Sequence, residues 1–220
     1  MCIRDSSITG KNDGDTLAQW DDSSGNGNHL TQVVGVVQPV YKINRINGLP
    51  AVNFGNIAAS SYFDLPRFFS AFTSGEIIFV IRSNNSSGSP GWNSIGGSNE
   101  SDYYNNVGDI FSSFAISVRL STGAIAPAGI LLKWNIVIIS FTGGVWEVFL
   151  NGTLVCSFAG KNSGWAAVGN SFIGRSSNVN SWYFYGDMAE IIFYSTVSTG
   201  AKRTQILTYL ANKYGAFPTP

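Results

Sequence analysis

The sequence predicts an all-β fold, a two-sheet antiparallel jelly-roll sandwich with one C-terminal α-helix packed outside it. Short runs of β-branched and aromatic residues recur along the chain, separated by Gly, Asn and Ser clusters, which is typical of sandwiches. Asn151-Gly152 separates two apolar runs; both residues tolerate the positive φ of a type I′ turn, so a hairpin is predicted there. A helical pattern appears near the C-terminus.

Strands are predicted at residues 40–43, 51–54, 61–65, 76–82, 111–120, 132–141, 145–150, 153–158, 171–174 and 184–194. The run from Ile77 to Ile81 is continuously apolar, so we expect a central strand covered on both faces. The helix is predicted to begin near Ser198, a suitable N-cap, and to end at Gly215, a suitable C′ residue. Its apolar stripe, which should dock it on the sandwich, consists of Ile206, Leu207, Leu210, Ala211 and Tyr214.

Composition favours one domain and argues against two classes of partner. The chain has 220 residues, of which 12% are charged, with 13 of each sign; the usual charged share is about 25%. No basic face can form, which disfavours nucleic-acid binding. No run approaches the roughly 20 apolar residues that span a bilayer, so membrane insertion is not expected. A surface rich in Ser, Asn, Thr and Gly suits an extracellular, cell-surface or virion protein whose export signal lies outside this sequence.

We divide the chain into residues 1–6, residues 7–217 and residues 218–220. Residues 1–6 resemble a translated sequencing adapter and are interpreted as non-native; 7–217 form the sandwich, and 218–220 are a tail or the start of a linker. The two cysteines, Cys2 and Cys156, provide no disulfide framework, and Cys156 is expected as a buried free thiol.

Several motifs carry a family resemblance. Trp20 precedes a dense turn-forming run that ends at His29, and the chain closes with Ala189-Glu190-Ile191-Ile192-Phe193-Tyr194 and a Tyr209 to Gly215 segment. Together with Ala51-Val52-Asn53-Phe54, Leu150-Asn151-Gly152 and Phe172-Ile173-Gly174-Arg175, in this order, they resemble the laminin-G-like branch of the concanavalin A-like lectin/glucanase superfamily. The resemblance implies the sandwich. It does not fix an activity, because lectins, adhesion modules, glycosidases and virion proteins share that fold.

The resemblance also implies a missing first strand. In this family an apolar strand precedes the segment that begins here at Ser7. We therefore expect an unpaired edge beside residues 190–194, covered poorly or by chance by residues 1–6.

Catalytic motifs are weak, so an enzyme is not expected. Retaining glycosidases need two carboxyl groups about 5 to 5.5 Å apart, but the chain has no E-x-D-x-x-E motif. Its glutamates, Glu76, Glu100, Glu147 and Glu190, lie more than twenty residues apart; Glu190 is interpreted as a structural carboxylate. The single histidine, His29, is interpreted as a turn residue, and no zinc site or Cys/His dyad is indicated. A carboxylate pair assembled from separate strands, or a polysaccharide lyase, stays open.

Calcium is the one metal that the sequence suggests, although no cofactor is required. Asp21, Asp22 and Asn26, with Ser24 and Asn28, offer oxygen ligands. Their spacing does not match a D-x-D-x-D-G loop. The competing interpretation is that Asp22 and Asn26 cap turns.

Aromatic residues in polar loops are the candidate ligand-binding residues: Trp92, Tyr103, Tyr104, Trp165, Trp182 and Tyr183. Their rings could stack on sugars while neighbouring Asn and Ser bind hydroxyl groups. Alternatively, the rings fold back over the core edge, since aromatic side chains bury large areas. Trp20, Trp134 and Trp146 occur in strand patterns and are expected in the core.

The leading hypothesis is a non-catalytic recognition module that binds a glycan or a glycosylated surface, within a larger secreted, surface or virion protein. It predicts weak binding of neutral polysaccharide without turnover, abolished by alanine at Trp92, Tyr103 and Tyr104. The alternatives are a structural or adhesive module of a phage or virus particle, and a glycoside hydrolase or polysaccharide lyase on the same fold.

Overall fold

The structure, a computed structural model, describes residues 1–55, 60–66, 68, 73–83, 96–98, 109–112, 116–119, 133–158, 171–175, 183–215 and 217. Its strands are β1 Cys2–Arg4, β2 Gln19–Trp20, β3 Leu30–Thr31, β4 Val40–Ile46, β5 Leu49–Asn53, β6 Phe63–Leu65, β7 Ser74–Ser83, β8 Gly96–Ser98, β9 Asp109–Ser112, β10 Ile116–Arg119, β11 Trp134–Thr142, β12 Val145–Leu150, β13 Thr153–Phe158, β14 Ser171–Ile173 and β15 Gly186–Tyr194. The helix α1 is Gly200–Tyr214, and short 3-10 turns lie at Asp5–Ser7 and Gly35–Val37.

The strands form the predicted two-sheet sandwich. The large sheet has the order β13-β12-β11-β7-β15-β5-β4, with β1 also paired to β15, and the small sheet has the order β2-β3-β6-β14-β8. Strands β9 and β10 pair with each other. Every described pairing is antiparallel, which confirms the predicted fold class.

The main core lies between the two sheets, and β7 contributes to both faces of the large sheet. Ile77, Phe79 and Ile81 point into this core, whereas Ile78 and Val80 belong to a second cluster on the outer face. The expectation of a central strand covered on both sides is therefore confirmed. The fully buried rings of the main core include Trp20, Phe54, Phe63, Phe79, Phe141, Trp146 and Phe184.

Trp134 differs from the other two tryptophans that were expected in the core. It is only partly buried and packs against the outer cluster. The Arg82 guanidinium lies 5.5 Å from its ring centroid, and its indole N–H donates to the Arg45 carbonyl at 3.1 Å. The ring is amphipathic, so it suits the edge of an apolar cluster beside a cation.

The helix covers the outer face of the large sheet through Ile206, Leu210 and Tyr214. Its predicted end is confirmed, because Gly215 has a φ of 90° and its N–H donates to the Ala211 carbonyl at 2.9 Å. The helix begins near Ser198, as predicted, but the predicted N-cap residue is wrong. Thr199 occupies the N-cap position, and the Ser198 hydroxyl instead donates to Glu76 at 2.6 Å.

The structure confirms the hairpin that the sequence predicts at Asn151-Gly152. Asn151 and Gly152 have φ values of 49° and 90°, and Leu150 pairs with Thr153 across the tip, as expected for a two-residue hairpin.

The single strand predicted at 111–120 is wrong. Two strands, β9 and β10, occupy this region and pair antiparallel.

The edge beside β15 is occupied, so the expectation of an unpaired edge there is wrong. Cys2–Arg4 pair with Glu190–Ile192, and Ile3 is completely buried in the main core. The opposite edge of β1 is also hydrogen-bonded, because the Cys2 N–H donates to the Asp22 carboxylate at 2.8 Å. Residues 2–4 form a strand because the Ile3 side chain is buried in the core and their backbone has hydrogen-bond partners on both sides. The non-native origin of 1–6 stays a prediction.

Candidate functional site

Most of the predicted ligand-binding aromatics lie outside the described residues: Trp92, Tyr103, Tyr104, Trp165 and Trp182. Tyr183 is described and half-buried. It forms an isolated antiparallel bridge with Arg175, which places it at the end of the small sheet.

Tyr183 belongs to a group of rings on the outer face of that sheet. The Tyr183 and Tyr62 ring centroids are 6.4 Å apart, tilted by 39°. Tyr62 meets Phe172 edge to face at 5.5 Å. The Arg175 guanidinium lies over both partners, 4.5 Å from the Tyr62 centroid and 4.0 Å from that of Phe172. Cation–π contacts with both rings therefore hold the guanidinium beside the sheet.

Strand alternation explains this arrangement. Phe63 and Leu65 point into the core, so Asp64 points outward. Register then places Asp64 directly opposite Thr31 on one side and Phe172 on the other. We call Thr31, Tyr62, Asp64, Phe172, Arg175 and Tyr183 the Tyr62 surface.

Gly174 directs the chain between Phe172 and Arg175. Its φ is 93°, and a Cβ atom there would lie 2.5 Å from two ring carbons of Phe54. Only glycine combines this conformation with such close packing. The turn that carries Arg175 toward the two rings therefore depends on this residue.

Asp64 is the anionic member of the Tyr62 surface. Its side chain is exposed, and among the described residues it has no hydrogen-bond or ion-pair partner. Desolvation raises the pKa of this carboxyl, and the nearby Arg175 charge opposes the increase. The surface thus combines two half-exposed phenol rings, one cation and one carboxylate.

An exposed valine loop adjoins Tyr62. Val33, Val34 and Val36 are 88%, 48% and 92% exposed. The loop is anchored by Gln32, which is buried; its side-chain amide donates to the Tyr62 carbonyl at 3.2 Å and accepts the Val34 N–H at 3.0 Å.

The calcium candidates lie in a turn organised around Asp22. Its carboxylate accepts the N–H groups of Cys2, Ser24 and Asn28, and the Ser24 hydroxyl, at 2.8 to 3.1 Å. Burial alone would raise the pKa of Asp22, but these hydrogen bonds outweigh it and lower the pKa to about 2. The turn-capping interpretation of Asp22 is confirmed.

The other members of this turn have different partners. Asn26 donates to the Ser24 hydroxyl at 2.9 Å rather than to the backbone. Asp21 accepts the Gln19 amide at 2.6 Å. The His29 Nδ1 accepts the Asp22 N–H at 3.2 Å, as expected of a turn residue. In the described part of the chain, no three His, Cys, Asp or Glu side chains group as a metal site would require.

Two other carboxylates come together beneath the helix. Lys213 Nζ lies 2.6 Å from Asp5 and 3.0 Å from Glu190, and the Tyr214 hydroxyl lies within hydrogen-bond distance of both carboxylates, at 2.9 and 2.8 Å. Burial and the two carboxylates raise the pKa of Tyr214 far above its usual range, so its phenol stays a donor. Asp5 and Glu190 are each 1% exposed.

The remaining glutamates do not form a second pair among the described residues. Glu76 is completely buried against Arg203, whose guanidinium lies 2.9 Å from it. Glu147 accepts the Ser140 hydroxyl at 3.5 Å, and Glu100 lies outside the described residues. The structural interpretation of Glu190 agrees with its buried contacts.

Sequence reasoning missed Tyr62, Asp64 and Arg175 as surface residues. Alternation in the predicted strand 61–65 places Tyr62 and Asp64 on the face opposite Phe63. Arg175 ends the motif Phe172-Ile173-Gly174-Arg175, which was used only for the family resemblance. Placing Tyr62 and Asp64 beside Arg175 requires the register between β6 and β14, which the sequence does not provide.

No family model and no curated protein sequence matches the chain. Solved structures match its fold. Domain 4 of the extracellular GH43 arabinanase AbnA from Geobacillus stearothermophilus, in complex with arabinotriose, has a TM-score of 0.63 at 14% identity, covering 89% of this chain and 100% of that domain. An arabinofuranosidase complexed with arabinofuranosyl-α-1,2-xylobiose has a TM-score of 0.68 at 12% identity, covering 93% of this chain and 52% of the enzyme.

A sialidase from Trypanosoma rangeli, in complex with sialic acid, has a TM-score of 0.65 at 9% identity, covering 96% of this chain. The chain spans 32% of the sialidase. At these identities the likeness shows a β-sandwich shared with carbohydrate-active proteins. No helix among the described residues is long and apolar enough to cross a membrane.

Proposed function

We propose that this chain is a laminin-G-like, non-catalytic recognition module that binds glycans through the Tyr62 surface. The observation that carries the proposal is the grouping of Tyr62 and Tyr183 with Asp64 and Arg175 on one exposed sheet face. The C–H face of a sugar packs against aromatic rings, while its hydroxyl groups need polar partners at the ring edge. This surface provides both.

The geometry favours weak binding. The described contact face is one sheet surface rather than a deep pocket, so a single sugar would stay partly solvated. The rings are held by Arg175 and by each other, which limits the side-chain entropy lost on binding. We expect dissociation constants between about 10 μM and 1 mM, the range of roughly 4 to 7 kcal/mol of binding free energy.

The structural neighbours support a saccharide ligand without identifying it. The arabinanase domain that matches over its whole length was solved with arabinotriose. For this chain, a neutral polysaccharide is the ligand class to test first. The parent protein that we propose is secreted, displayed on a cell surface or part of a virion, and calcium is not required for binding.

The non-catalytic part of the proposal rests on the carboxylates. Most glycosidase families use two carboxyl groups that both reach the scissile bond. Asp5 and Glu190 lie close to the same lysine but are 1% exposed. Asp64 is exposed, but its described neighbours on the Tyr62 surface include no second carboxylate.

A polysaccharide and oligosaccharide array, probed with the purified chain with and without calcium, tests the proposal. Wild type should bind at least one glycan without releasing reducing ends or unsaturated sugars. Tyr62→Ala and Tyr183→Ala should each reduce binding at least about fivefold while the melting temperature changes little. Leu154→Ala is the control, because Leu154 is 48% exposed on β13 of the other sheet. Binding that survives both tyrosine changes would exclude this surface.

The valine loop favours a second candidate, an adhesive or assembly module. Three exposed valines on an anchored loop are unusual for a surface that contacts only water. If protein contact is the function, the chain should form a stable oligomer in light scattering, and Val33→Ser with Val36→Ser should dissociate it. A monomer at all concentrations would leave only the glycan proposal.

A further inference from the structure

We infer that the chain has a second ligand-binding site, on the outer face of the large sheet, which takes the carboxylate of an acidic sugar. The residues that form it, which we call the two-arginine site, are Arg45, Arg82, Trp134 and Asp187. They come from β4, β7, β11 and β15. The site lies on a different sheet from the Tyr62 surface, so the inference does not rest on the function proposed above.

Strand register places the members of this site side by side. Arg82 on β7 lies opposite Trp134 on β11 and opposite Asp187 on β15. Val80 belongs to the outer cluster, so Arg82, two residues later on the same strand, also points outward. Arg45 reaches Asp187 from β4. Two cations and one aromatic ring therefore meet at one end of the outer face.

The two guanidinium groups converge on a single carboxylate. Nε and Nη2 of Arg45 lie 3.3 and 3.1 Å from Asp187 Oδ1, and the same Nη2 lies 3.0 Å from Oδ2. Nε and Nη2 of Arg82 lie 3.1 and 2.6 Å from Oδ2. Both Nη2 atoms therefore contact the same oxygen atom, which holds the two cations close together.

The site has more positive charge than its own carboxylate needs. Asp187 is completely buried, and the Asn53 side-chain amide also donates to it, at 2.7 Å. One arginine would neutralise this carboxylate, so the second leaves a net positive charge. Lys42, on the same strand as Arg45, is paired with Asp13 at 3.3 Å, and these two add no net charge. Like charges held together in a partly buried place cost free energy, and a bound anion would remove that cost.

The surplus charge can be reached by a ligand. The Arg45 and Arg82 side chains are 31% and 25% exposed, and their Nη1 groups take no part in binding Asp187. Each Nη1 group can donate to an oxygen of a ligand carboxylate, which guanidinium groups bind well. Because Asp187 already holds both side chains in place, little side-chain entropy would be lost on binding.

Trp134 favours a sugar as the carrier of that carboxylate. Its ring is partly buried, and its indole N–H donates to the Arg45 carbonyl at 3.1 Å. The Arg82 guanidinium lies 5.5 Å from the ring centroid. An aromatic ring that is held beside two cations can pack against the C–H face of a sugar while the cations bind its acidic group. A uronic acid residue has both features, whereas an acidic peptide would use only the cations.

The test uses a matched pair of ligands, oligogalacturonate and its methyl ester, which differ in charge. Affinities are measured by calorimetry at neutral pH and low salt, and NMR follows the Nε–H signals of Arg45 and Arg82 and the indole N–H of Trp134. Arg45→Gln removes the surplus charge while Arg82 still pairs with Asp187, so the fold should persist, and circular dichroism melting checks this. Lys202→Gln, which removes an exposed cation on the helix, is the control. Poly-glutamate is the acidic peptide probe.

We expect oligogalacturonate to bind wild type at least roughly tenfold more tightly than the ester, the effect of one charge-assisted contact, and to shift all three signals. Arg45→Gln should reduce this ratio to about twofold or less, whereas Lys202→Gln should leave it unchanged. Tyr62→Ala should also leave it unchanged, so this inference and the proposed function can fail separately.

Three results would overturn the inference: equal binding of acid and ester, shifts that spare the three signals, or a ratio that Arg45→Gln does not change. Poly-glutamate that binds as tightly, with the same shifts, overturns the assignment to a sugar. If Arg45→Gln does not fold, the wild-type shifts and the wild-type ratio of acid to ester decide.

Discussion

The guanidinium of Arg175 lies over the Phe172 ring, 4.0 Å from its centroid. Phe172 is in turn paired across the small sheet with Asp64. One strand pairing therefore brings a ring, a cation and a carboxylate to the same place on an exposed face. Such a combination has no evident role in the core, which lies on the opposite side of the sheet.

Replacing Arg175 should lower both the free energy of unfolding and the glycan affinity, and each effect can be measured by itself. Arg175→Ala removes cation–π contacts with two rings and should lower the free energy of unfolding by about 1 kcal/mol, measured by urea denaturation. Glycan affinity should fall several-fold. Arg175→Lys keeps the charge but not the guanidinium group, so it should recover at most part of the affinity. Full recovery by lysine would show that only charge matters there.

Gly152 should tolerate no β-branched residue. Its φ is 90°, and an added Cβ would lie 2.9 Å from Leu207 Cδ1 on the helix. Gly152→Val should therefore destabilise the protein by at least about 1 kcal/mol, seen as a lower denaturation midpoint. Gly35→Ala is the control, because Gly35 has no atom within 4 Å of a Cβ and no positive φ. Similar midpoints for both variants would contradict the turn assignment.

Arg203 should be required to keep the helix on the sheet. Arg203→Ala leaves the completely buried Glu76 carboxylate without its cation and removes a guanidinium 3.8 Å from the Phe149 ring centroid. Breaking a buried pair costs about 3 to 5 kcal/mol, which denaturation measures directly. The exposed neighbour Lys202 is the control, and its change to alanine should have almost no effect. If Glu76→Gln rescues Arg203→Ala, the buried charge is the cause.

Acid should destabilise the protein partly through Asp22. Its pKa of about 2 in the folded state lies below the ordinary aspartate value near 3.9. The stabilisation is therefore present above about pH 4 and is lost as the pH falls toward 2. Asp22→Asn should be less stable than wild type at pH 7, and the difference should shrink at pH 2. Asp15→Asn is the control, because the half-buried Asp15 carboxylate accepts one backbone N–H, from Asn12 at 2.8 Å, and this change should cost less stability at pH 7 than Asp22→Asn.

The sequence predicts the sandwich well because its signals are local. The apolar run from Ile77 to Ile81 and the Asn151-Gly152 tip each need only neighbouring residues to be interpreted. The N-cap prediction fails for the opposite reason. Ser198 is a good N-cap in isolation, but its hydroxyl group donates to buried Glu76, 122 residues away in the chain.

The candidate site was harder to predict, because it depends on register between distant strands. Tyr183 was identified as a loop aromatic. Its partners Tyr62 and Arg175 come from two other segments of the chain, and only strand pairing brings them together. The edge occupied by Cys2–Arg4 was also missed, since backbone pairing there depends on Asp22 as well as β15. The predicted sites Trp92, Tyr103 and Tyr104 stay predictions.

The most direct test of glycan binding at the Tyr62 surface is a chemical-shift map. The isotope-labelled chain is titrated with the tightest-binding neutral oligosaccharide from the array, and backbone and Tyr ring shifts are followed. We expect the largest, saturable shifts at Tyr62, Asp64, Arg175 and Tyr183, and we expect these shifts to be absent in Tyr62→Ala. Saturable shifts confined to other residues, such as those around Trp92 and Tyr103, or no shifts at millimolar ligand, would contradict it.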